Sequence, residues 1–572
     1  MAQTFLPYGL QKKEIWEKSR EDVRVRRFLT PQRIVWTSEG NHCRVSGTEV
    51  LLEDREPQIN LNATDLCVLE NKGEPASIVL DFGVEFHGNL KLFVKDVSQE
   101  RVNLRVRFGE SVMETMEDTI GGKHNARNDH INRDSVINVG FLSANELGPT
   151  GYRFVRIDLL DENTAISFKA IKGIAIYREL EYKGSFHCSD ERLNTIWNTG
   201  AYTIHLNMQE YVWDGIKRDR LVWIGDMHPE TSTIQAVFGY DESVPASLDL
   251  AREETPLPGW MDGMSSYSIW WILIQYGWYM QNGDKAYLEE QRDYLKGLLE
   301  QLLELVDIES GSEKMPDRRF LDWPSDDDPE AVHAGLQGLL KQGFVRGAFL
   351  CRELGEAELA ERCSKMADIL QRHCPDPHGN KQAAAFLALS GIADPTAMNK
   401  IIKVDGAHRL STFLGYYVLQ AQALAGDIDG ALSNISEYWG AMLDRGATTF
   451  WEDFNLDWLE GSGRIDEIVP SGVKDLHGDY GAYCYIGLRH SLCHGWASGP
   501  TAFLSQYVLG FTPLTPGCGK MAIRPQLGHL DFAEGSYPTP YGVIRVRHEK
   551  AADSSGAIKT IILEKPDQVE II

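Results

Sequence analysis

The hydrophobic positions of the first 180 or so residues occur in short runs that partly alternate with polar residues, a pattern typical of β-strands. Gly, Asn and Asp residues separate the runs, as turns do in a β-sandwich. A polar stretch, residues 111–135, interrupts them and predicts a long excursion. We therefore expect an N-terminal β-sandwich, jelly-roll-like, over residues 1–183. The predicted strands are Ser77–Phe82, Leu90–Val97, Arg101–Phe108 and Phe154–Leu160.

After Gly184 the apolar residues follow helical spacing. The first helix opens on a Ser-Asp start and continues with Leu193, Ile196 and Trp197 on one face. About a dozen helices, mostly in consecutive pairs, favour a ring of helical hairpins over residues 184–510, although periodicity alone leaves its closure open. The predicted helices are Asp190–Gln209, Tyr267–Gln281, Lys285–Val306, Pro329–Leu354, Glu356–His373, Lys381–Leu389, Thr412–Leu424, Asp427–Met442 and Ala497–Gly510.

From Phe511 the pattern returns to short strands punctuated by Pro and Gly. The strands predicted there are Met521–Pro525, Gly542–Glu549 and Ile558–Glu564. Residues 511–572 thus predict a small C-terminal β domain. The whole chain is expected to be multidomain, in the order β–α–β.

Composition narrows the possible partners. The chain of 572 residues has 57 Lys and Arg against 83 Asp and Glu, a net charge of −26. That balance argues against binding to nucleic acid or to an anionic membrane, which would need a basic face. The start of the chain has no apolar signal core, no run approaches the length of a membrane span, and the nine cysteines show no CxxC spacing. These features predict free thiols and a soluble protein of the cytoplasm.

The densest group of charged residues is the segment Trp213–Glu230, in which four acids lie among Lys, Arg and aromatic residues. Its glycines favour a loop. One interpretation is a solvated loop whose charges pair with each other. The other is a partly buried loop, because the interleaved aromatic residues would remove carboxylates from water, and such carboxylates must pair or change their pKa.

Two later segments also hold candidate acid–base groups. Glu452 lies between Trp451 and Phe454, and desolvation by aromatic rings is one way to tune a carboxyl group, although an ordinary half-exposed Glu is equally compatible. His494 lies beside Trp496, where a hydrogen-bonded core or capping histidine is the plainer alternative. The 14 Trp and 21 Tyr residues suit sugar rings but also aromatic cores.

Several motifs, in order along the chain, resemble those of bacterial α-L-rhamnosidases of glycoside hydrolase family 78. Residues 214–226 (DGIKRDRLVWIGD) are similar to the signature of the rhamnose pocket. Residues 448–452 (TTFWE) and 491–494 (SLCH) resemble two later motifs of the family, and residues 267–284 resemble the helix that follows the signature. Residues 80–88 and 105–110 are similar to the preceding β-sandwich, so the resemblance spans most of the chain.

This resemblance implies a central (α/α)6 barrel, with a small C-terminal β-sandwich, and an inverting mechanism. By position, Asp219 falls where the family has its glutamic general acid, and Glu452 falls on the general base. We predict a carbohydrate substrate, and we expect no cofactor and no metal. The residues expected to hold the sugar are Asp214, Arg218, Trp223, Asp226, Trp271, Trp323, Trp451 and His494.

The sequence therefore predicts an exo-acting glycoside hydrolase that removes terminal α-L-rhamnose or a related sugar. Two alternatives remain open at this point. One is a non-catalytic sugar-binding protein on a decayed glycosidase scaffold, because Asp219 is one methylene shorter than the family's acid. The other is a metal-dependent hydrolase that uses Asp226, His228 and Glu230, although their spacing matches no recognised metal motif. The oligomeric state is left open.

Overall fold

The structure is a computed structural model that describes residues 21–118, 129, 133–316, 318–551 and 557–572. Its N-terminal part is a nine-stranded antiparallel β-structure. In chain order the strands are β1 (Arg24–Leu29), β2 (Arg33–Thr37), β3 (Cys43–Ser46), β4 (Cys67–Asn71), β5 (Ala76–Val97), β6 (Arg101–Gly109), β7 (Asp134–Gly140), β8 (Ser143–Leu159) and β9 (Thr164–Arg178).

The strands follow the order β3-β4-β9-β5-β8-β6-β7, while β1 pairs with β9 and β2 with β5. Strand β5 pairs with β2 over residues 78–81 and with β9 from Gly88 onward. A Cβ atom at Gly88 would lie 1.8 Å from the carbonyl oxygen of Ile174, so only glycine allows this close approach between β5 and β9. The apolar faces enclose a core of their own, which includes Leu80, Phe108 and Ile157.

The central part is helical. Its helices follow a short helix of the N-terminal part, α1 (Val112–Met116). They are α2 (Glu191–Asn207), α3 (Met227–Val237), α4 (Ser243–Glu254), α5 (Ser265–Asn282), α6 (Lys285–Glu290), α7 (Arg292–Leu303), α8 (Pro329–Glu353), α9 (Ala357–Leu370), α10 (Lys381–Leu389), α11 (Pro395–Ile402), α12 (Gly415–Leu424), α13 (Ile428–Asn434), α14 (Gly440–Asp444) and α15 (Gly499–Phe503).

The predicted helices are found, with differences at their ends. Asp190 caps α2 by accepting from the amide of Arg192. The helix predicted over 285–306 is divided into α6 and α7 at Gln291. Helices α3, α4 and α11 were not predicted; α3 directly follows the charged loop, and α11 is only eight residues long. Two predicted strands, 77–82 and 90–97, belong to the single strand β5.

The C-terminal part contains two small sheets. Their strands are β10 (Ser185–Cys188), β11 (Phe511–Pro513), β12 (Lys520–Ile523), β13 (Phe532–Thr539), β14 (Gly542–Lys550), β15 (Ile558–Glu564) and β16 (Glu570–Ile571). One sheet has the order β10-β13-β14-β15 and the other β11-β12-β16. Strand β10 comes from the start of the helical part, so the C-terminal sheet is completed by residues far away in sequence. The barrel and the C-terminal part share one apolar core.

The predicted β–α–β fold class is confirmed, while the exact domain boundaries at 183 and 510 stay a prediction. Much of the polar excursion, residues 119–128 and 130–132, lies outside the described residues. Within the described chain, no helix combines the length and the apolar character needed to cross a bilayer. All nine cysteines are free thiols, and seven of them are buried.

Candidate active site

A cavity of about 290 Å³ lies where loops lead into the N-terminal ends of several barrel helices. We call it the acidic cavity, because four carboxylates from two distant parts of the chain face it. Asp226 comes directly before α3, and Met264 comes directly before α5. The cavity is lined by Asp214, Arg218, Asp219, Trp223, Asp226, Met264, Tyr267, Arg318, Phe320, Trp323, Glu452, Cys484, Tyr485, Arg489, His494 and Trp496.

One guanidinium group joins the two predicted catalytic carboxylates. Nη1 of Arg218 donates to Asp219 at 3.0 Å, and Nη2 forms a short ion pair with Oε1 of Glu452. Nε of Arg218 donates to the backbone oxygen of Arg489 at 2.8 Å, which fixes the plane of the group. Residues that are more than 230 positions apart in sequence therefore meet across a single side chain.

Glu452 is held from several sides and is only 3% exposed. Its Oε2 accepts from the backbone amide of Ser491 at 3.1 Å, and its own amide donates to the carbonyl of Ser491 at 3.0 Å. The Trp496 indole and the Thr412 hydroxyl donate to its backbone oxygen. The carboxylate is thus oriented by the 491–494 motif before any ligand arrives.

Asp219 differs from Glu452 in exposure and in backbone. Its side chain is 17% exposed, so it faces the mouth of the cavity. Asp219 and Arg220 both have left-handed backbone conformations, with φ of 54° and 52°. Two consecutive non-glycine residues of this kind are rare and concentrate at functional sites, where the surrounding structure holds them in place.

The remaining acids of the cavity are buried beside each other. Burial, together with the charges of Asp219 and Asp226, raises the pKa of Asp214 well above its ordinary value. Burial and the charge of Glu230 do the same for the pKa of Asp226. Asp226 contacts His494 at 3.2 Å and accepts from the Tyr267 hydroxyl at 3.3 Å. These groups offer a cluster of donors and acceptors suited to hydroxyl groups.

The His494 ring is buried between the two parts of the cavity's acidic cluster, Asp226 and Glu452. Burial and the charge of Arg218 lower its pKa well below the usual value. Its Nε2 lies against Asp226, while its Nδ1 lies 3.8 Å from Glu452 and has no hydrogen-bond partner within the described structure. An unsatisfied buried nitrogen that borders a cavity is available to a ligand.

Aromatic rings form the walls. Trp323 contacts Tyr485 and Phe320, while Trp223 packs edge-on against Tyr267. Trp496 lies beside His494, with 4.5 Å between ring centroids. Flat apolar walls with a few convergent polar groups are typical of a small-molecule site.

Eight of the ten predicted site residues reach this cavity, and two predictions were wrong. Trp271 is fully buried, packs on Tyr294 and donates to the backbone oxygen of Leu248, so it belongs to the helical core. Trp451 is 1% exposed, packs edge-on against Phe454 and does not line the cavity. Both residues neighbour motif residues in sequence, yet their side chains face the apolar interior.

The solvated-loop interpretation of residues 213–230 is also wrong. Lys217 is fully buried, and its ammonium lies 3.1 Å from Glu110 and 3.4 Å from Glu114 of the N-terminal part. Glu110 also accepts from the backbone amide of Leu492 at 2.8 Å. The N-terminal part therefore supports the 491–494 motif, and through it Glu452.

The metal-site alternative loses its geometric basis. His228 points into a different region, where its Nδ1 contacts the hydroxyl of Tyr417 at 2.7 Å and its ring lies against Trp270. Asp226, His228 and Glu230 are not among the groups of described residues whose ligand atoms converge.

Half of the residues that line the cavity were not predicted from the sequence. Tyr485 and Arg489 come from a loop without a recognisable motif, and Arg318 and Phe320 come from another. Trp496 was the one with a usable signal, since it lies two residues after His494 and directly before a helix.

Comparison with known proteins agrees with this architecture. Residues 181–373 match the family model of the bacterial alpha-L-rhamnosidase 6 hairpin glycosidase domain, and residues 510–560 match that of the bacterial alpha-L-rhamnosidase C-terminal domain. An alpha-L-rhamnosidase of Alteromonas sp. (strain LOR) is 25% identical over 543 residues, which cover 85% of this chain and 55% of that protein.

Solved structures show the same fold. The GH78 family rhamnosidase of Bacillus sp. GL1 superposes with a TM-score of 0.71 at 22% identity, covering 89% of this chain and 54% of that one. A rhamnosidase from Klebsiella oxytoca with rhamnose bound gives 0.64 at 20% identity, covering 85% and 96%. The chain thus spans about half the length of the Alteromonas and Bacillus proteins. The predicted resemblance to bacterial α-L-rhamnosidases is confirmed, and the chain shares the fold of these solved rhamnosidases.

Proposed function

We propose that the protein is an inverting exo-acting glycoside hydrolase that removes terminal α-L-rhamnose, or a closely related sugar, from a glycoside or oligosaccharide. In this proposal Asp219 protonates the glycosidic oxygen and Glu452 removes a proton from the attacking water. The observation that carries the proposal is that both carboxylates face one cavity and share Arg218.

The assignment of the two roles follows from the surroundings of each carboxylate. A general acid must recover a proton after every turnover, and Asp219 is the more exposed of the two. A general base must hold one water in line with the sugar carbon, and Glu452 is fixed by the amide of Ser491. Inversion requires about 6.5–9.5 Å between the two carboxyl groups, so that a sugar ring and a water fit between them.

The other residues would bind the sugar. Asp214, Asp226 and His494 present acceptors and donors to its hydroxyl groups, while Trp223, Trp323 and Trp496 cover its apolar face. The proposal agrees with the two solved relatives that contain rhamnose, from Klebsiella oxytoca and Streptomyces avermitilis.

A panel of 4-nitrophenyl glycosides tests the proposal. We expect turnover of the α-L-rhamnoside, and we expect Glu452→Gln to lower kcat by about 10²-fold or more while the fold persists. Glu437→Gln is the matched control, since the same change there affects an exposed side chain. Unchanged turnover by Glu452→Gln would remove that residue from the mechanism.

The second candidate function is that of a sugar-binding protein without activity, and calorimetry distinguishes it from a hydrolase. Binding of L-rhamnose without release from any aryl rhamnoside, at acidic or neutral pH, would favour it over hydrolysis. Release of nitrophenol that depends on Glu452 would exclude it.

A further inference from the structure

A second cavity, of about 450 Å³, is lined by helices α3, α5, α8 and α12 and by the C-terminal part. We call it the tyrosine cavity, after Tyr276, Tyr416, Tyr417, Tyr507 and Tyr537, which line it. Helix α5 passes from Tyr267 at the acidic cavity to Tyr276 at this one. Residues 510–513 and 524–526 of the C-terminal part complete its wall.

Packed rings separate the two cavities. Trp496 of the acidic cavity stacks on Phe413 at 4.9 Å, and Phe413 contacts Trp270 and Tyr417. The tyrosine cavity is therefore a separate space, and a ligand bound there would not contact Asp219 or Glu452.

The charges of the tyrosine cavity are unusual for so acidic a protein. Its described lining includes Arg346 and Arg524 but no Asp or Glu. Across the described chain, neither arginine forms a salt bridge with a carboxylate, and Arg346 instead lies over the ring of Tyr276 at 4.3 Å. Unpaired arginines beside a cavity are the residues that most often bind carboxylate or phosphate groups.

Unpaired amide donors point to the same chemistry. Gln235 is 7% exposed and borders the cavity, and its Nε2 has no partner within the described structure. Gln342 also lines the cavity, and its Nε2 likewise has no hydrogen-bond partner within the described structure. Burial and the nearby charge of Arg346 lower the pKa of His228 to about 3, so this side chain adds no positive charge near neutral pH. A buried donor without an acceptor is costly unless a ligand supplies one.

We propose that the tyrosine cavity binds a small ligand that combines a ring with an oxyanion, either a carboxylate or a phosphate. Arg346 and Arg524 would hold the oxyanion, Gln235 and Gln342 would donate to its oxygens or to ring hydroxyls, and the tyrosine rings would enclose the rest.

Isothermal titration calorimetry on the full chain tests this proposal with three probes: D-glucose 6-phosphate, D-glucuronate and neutral D-glucose. We expect saturable binding of at least one anionic probe, weakened by added salt, and no binding of D-glucose. If only one of the two anionic probes binds, the result shows whether the cavity recognises a phosphate or a carboxylate. Arg346→Gln should weaken binding about tenfold or more, since it removes a charge-assisted contact.

Arg362→Gln is the matched control, because Arg362 is exposed and already pairs with Glu300. Circular dichroism shows whether each variant is folded. Gln235→Leu offers a second, uncharged change that should also weaken binding. No binding of either anion up to about 10 mM, or equal affinity in Arg346→Gln, would overturn the proposal. Neither outcome depends on rhamnoside hydrolysis, so this test and that of the proposed function fail separately.

Discussion

The acidic cavity and the tyrosine cavity differ in the sign of the charges that line them. The acidic cavity gathers Asp214, Asp219, Asp226 and Glu452, and the N-terminus of helix α3 beside Asp226 favours a carboxylate there. The tyrosine cavity has two arginines and, among its described lining residues, no carboxylate. Helix α5 borders both cavities, so the difference in charge comes from the other residues that line each space, such as Arg346 of α8.

The two cavities also differ in the contacts that their positively charged side chains make. At the acidic cavity Arg218 is buried and paired with two acids, and the adjacent Lys217 is buried against two acids of the N-terminal part. In the tyrosine cavity Arg346 rests on an aromatic ring and is half-buried. We therefore expect stability to depend on the buried ion pairs of the first and much less on the arginines of the second.

The largest effect expected is on stability, from Lys217→Met. This change leaves Glu110 and Glu114 buried together with one cation fewer, which should cost about 3–5 kcal/mol of unfolding free energy. Arg346→Gln should cost less than about 1 kcal/mol, because no ion pair is broken. Denaturant unfolding followed by Trp fluorescence measures both. Equal losses would break the comparison between the two cavities.

The second-largest effect is on activity, and it tests whether Asp219 is the general acid of the acidic cavity. Asp219→Asn should lower kcat/KM by about 10²-fold for a methyl rhamnoside, whose leaving group needs a proton. The loss should be much smaller for 2,4-dinitrophenyl rhamnoside, which leaves without one. Asp219→Glu, which keeps the carboxyl group, serves as the control. An equal loss with both substrates would show that Asp219 is not the acid.

The smallest effect concerns Glu230, which is fully buried behind the acidic cavity and has no hydrogen-bond partner on either oxygen within the described structure. Burial, and then the charge of Asp214, raises its pKa well above the ordinary 4.5. The folded state thus keeps a proton that the unfolded chain loses, so this group's contribution to stability is present at acidic pH and is lost as pH rises.

Glu230→Gln should therefore be about as stable as the wild type near pH 5 and more stable near pH 8. Denaturant midpoints at the two pH values measure the change, with the exposed Glu437→Gln as control. A wild-type pH dependence that persists unchanged in Glu230→Gln would show that another group carries it.

The fold class and most of the acidic cavity could be predicted from the sequence, and for the cavity the reason is physical. Asp214, Arg218, Asp219, Trp223 and Asp226 lie within thirteen consecutive residues, so one loop carries them together. Glu452 and His494 were found through their own motifs.

The rest depends on tertiary packing, which a single sequence does not specify. Trp270 and Trp271 are adjacent on one helix, and both side chains are buried in the interior. Helical spacing alone therefore could not show that neither ring borders the acidic cavity. Tyr485 and Arg489 reach the acidic cavity only through the path of their loop. The tyrosine cavity gathers residues from four helices and the C-terminal part, such as Gln235, and has no local motif at all.

The central claim is that Asp219 and Glu452 act on opposite sides of one sugar ring. Proton NMR during hydrolysis of an aryl α-L-rhamnoside tests it most directly, because the first sugar released shows the stereochemistry before mutarotation. The account predicts β-L-rhamnose as the first product. Initial release of α-L-rhamnose would contradict the paired acid and base, and so would the absence of any release from the folded protein.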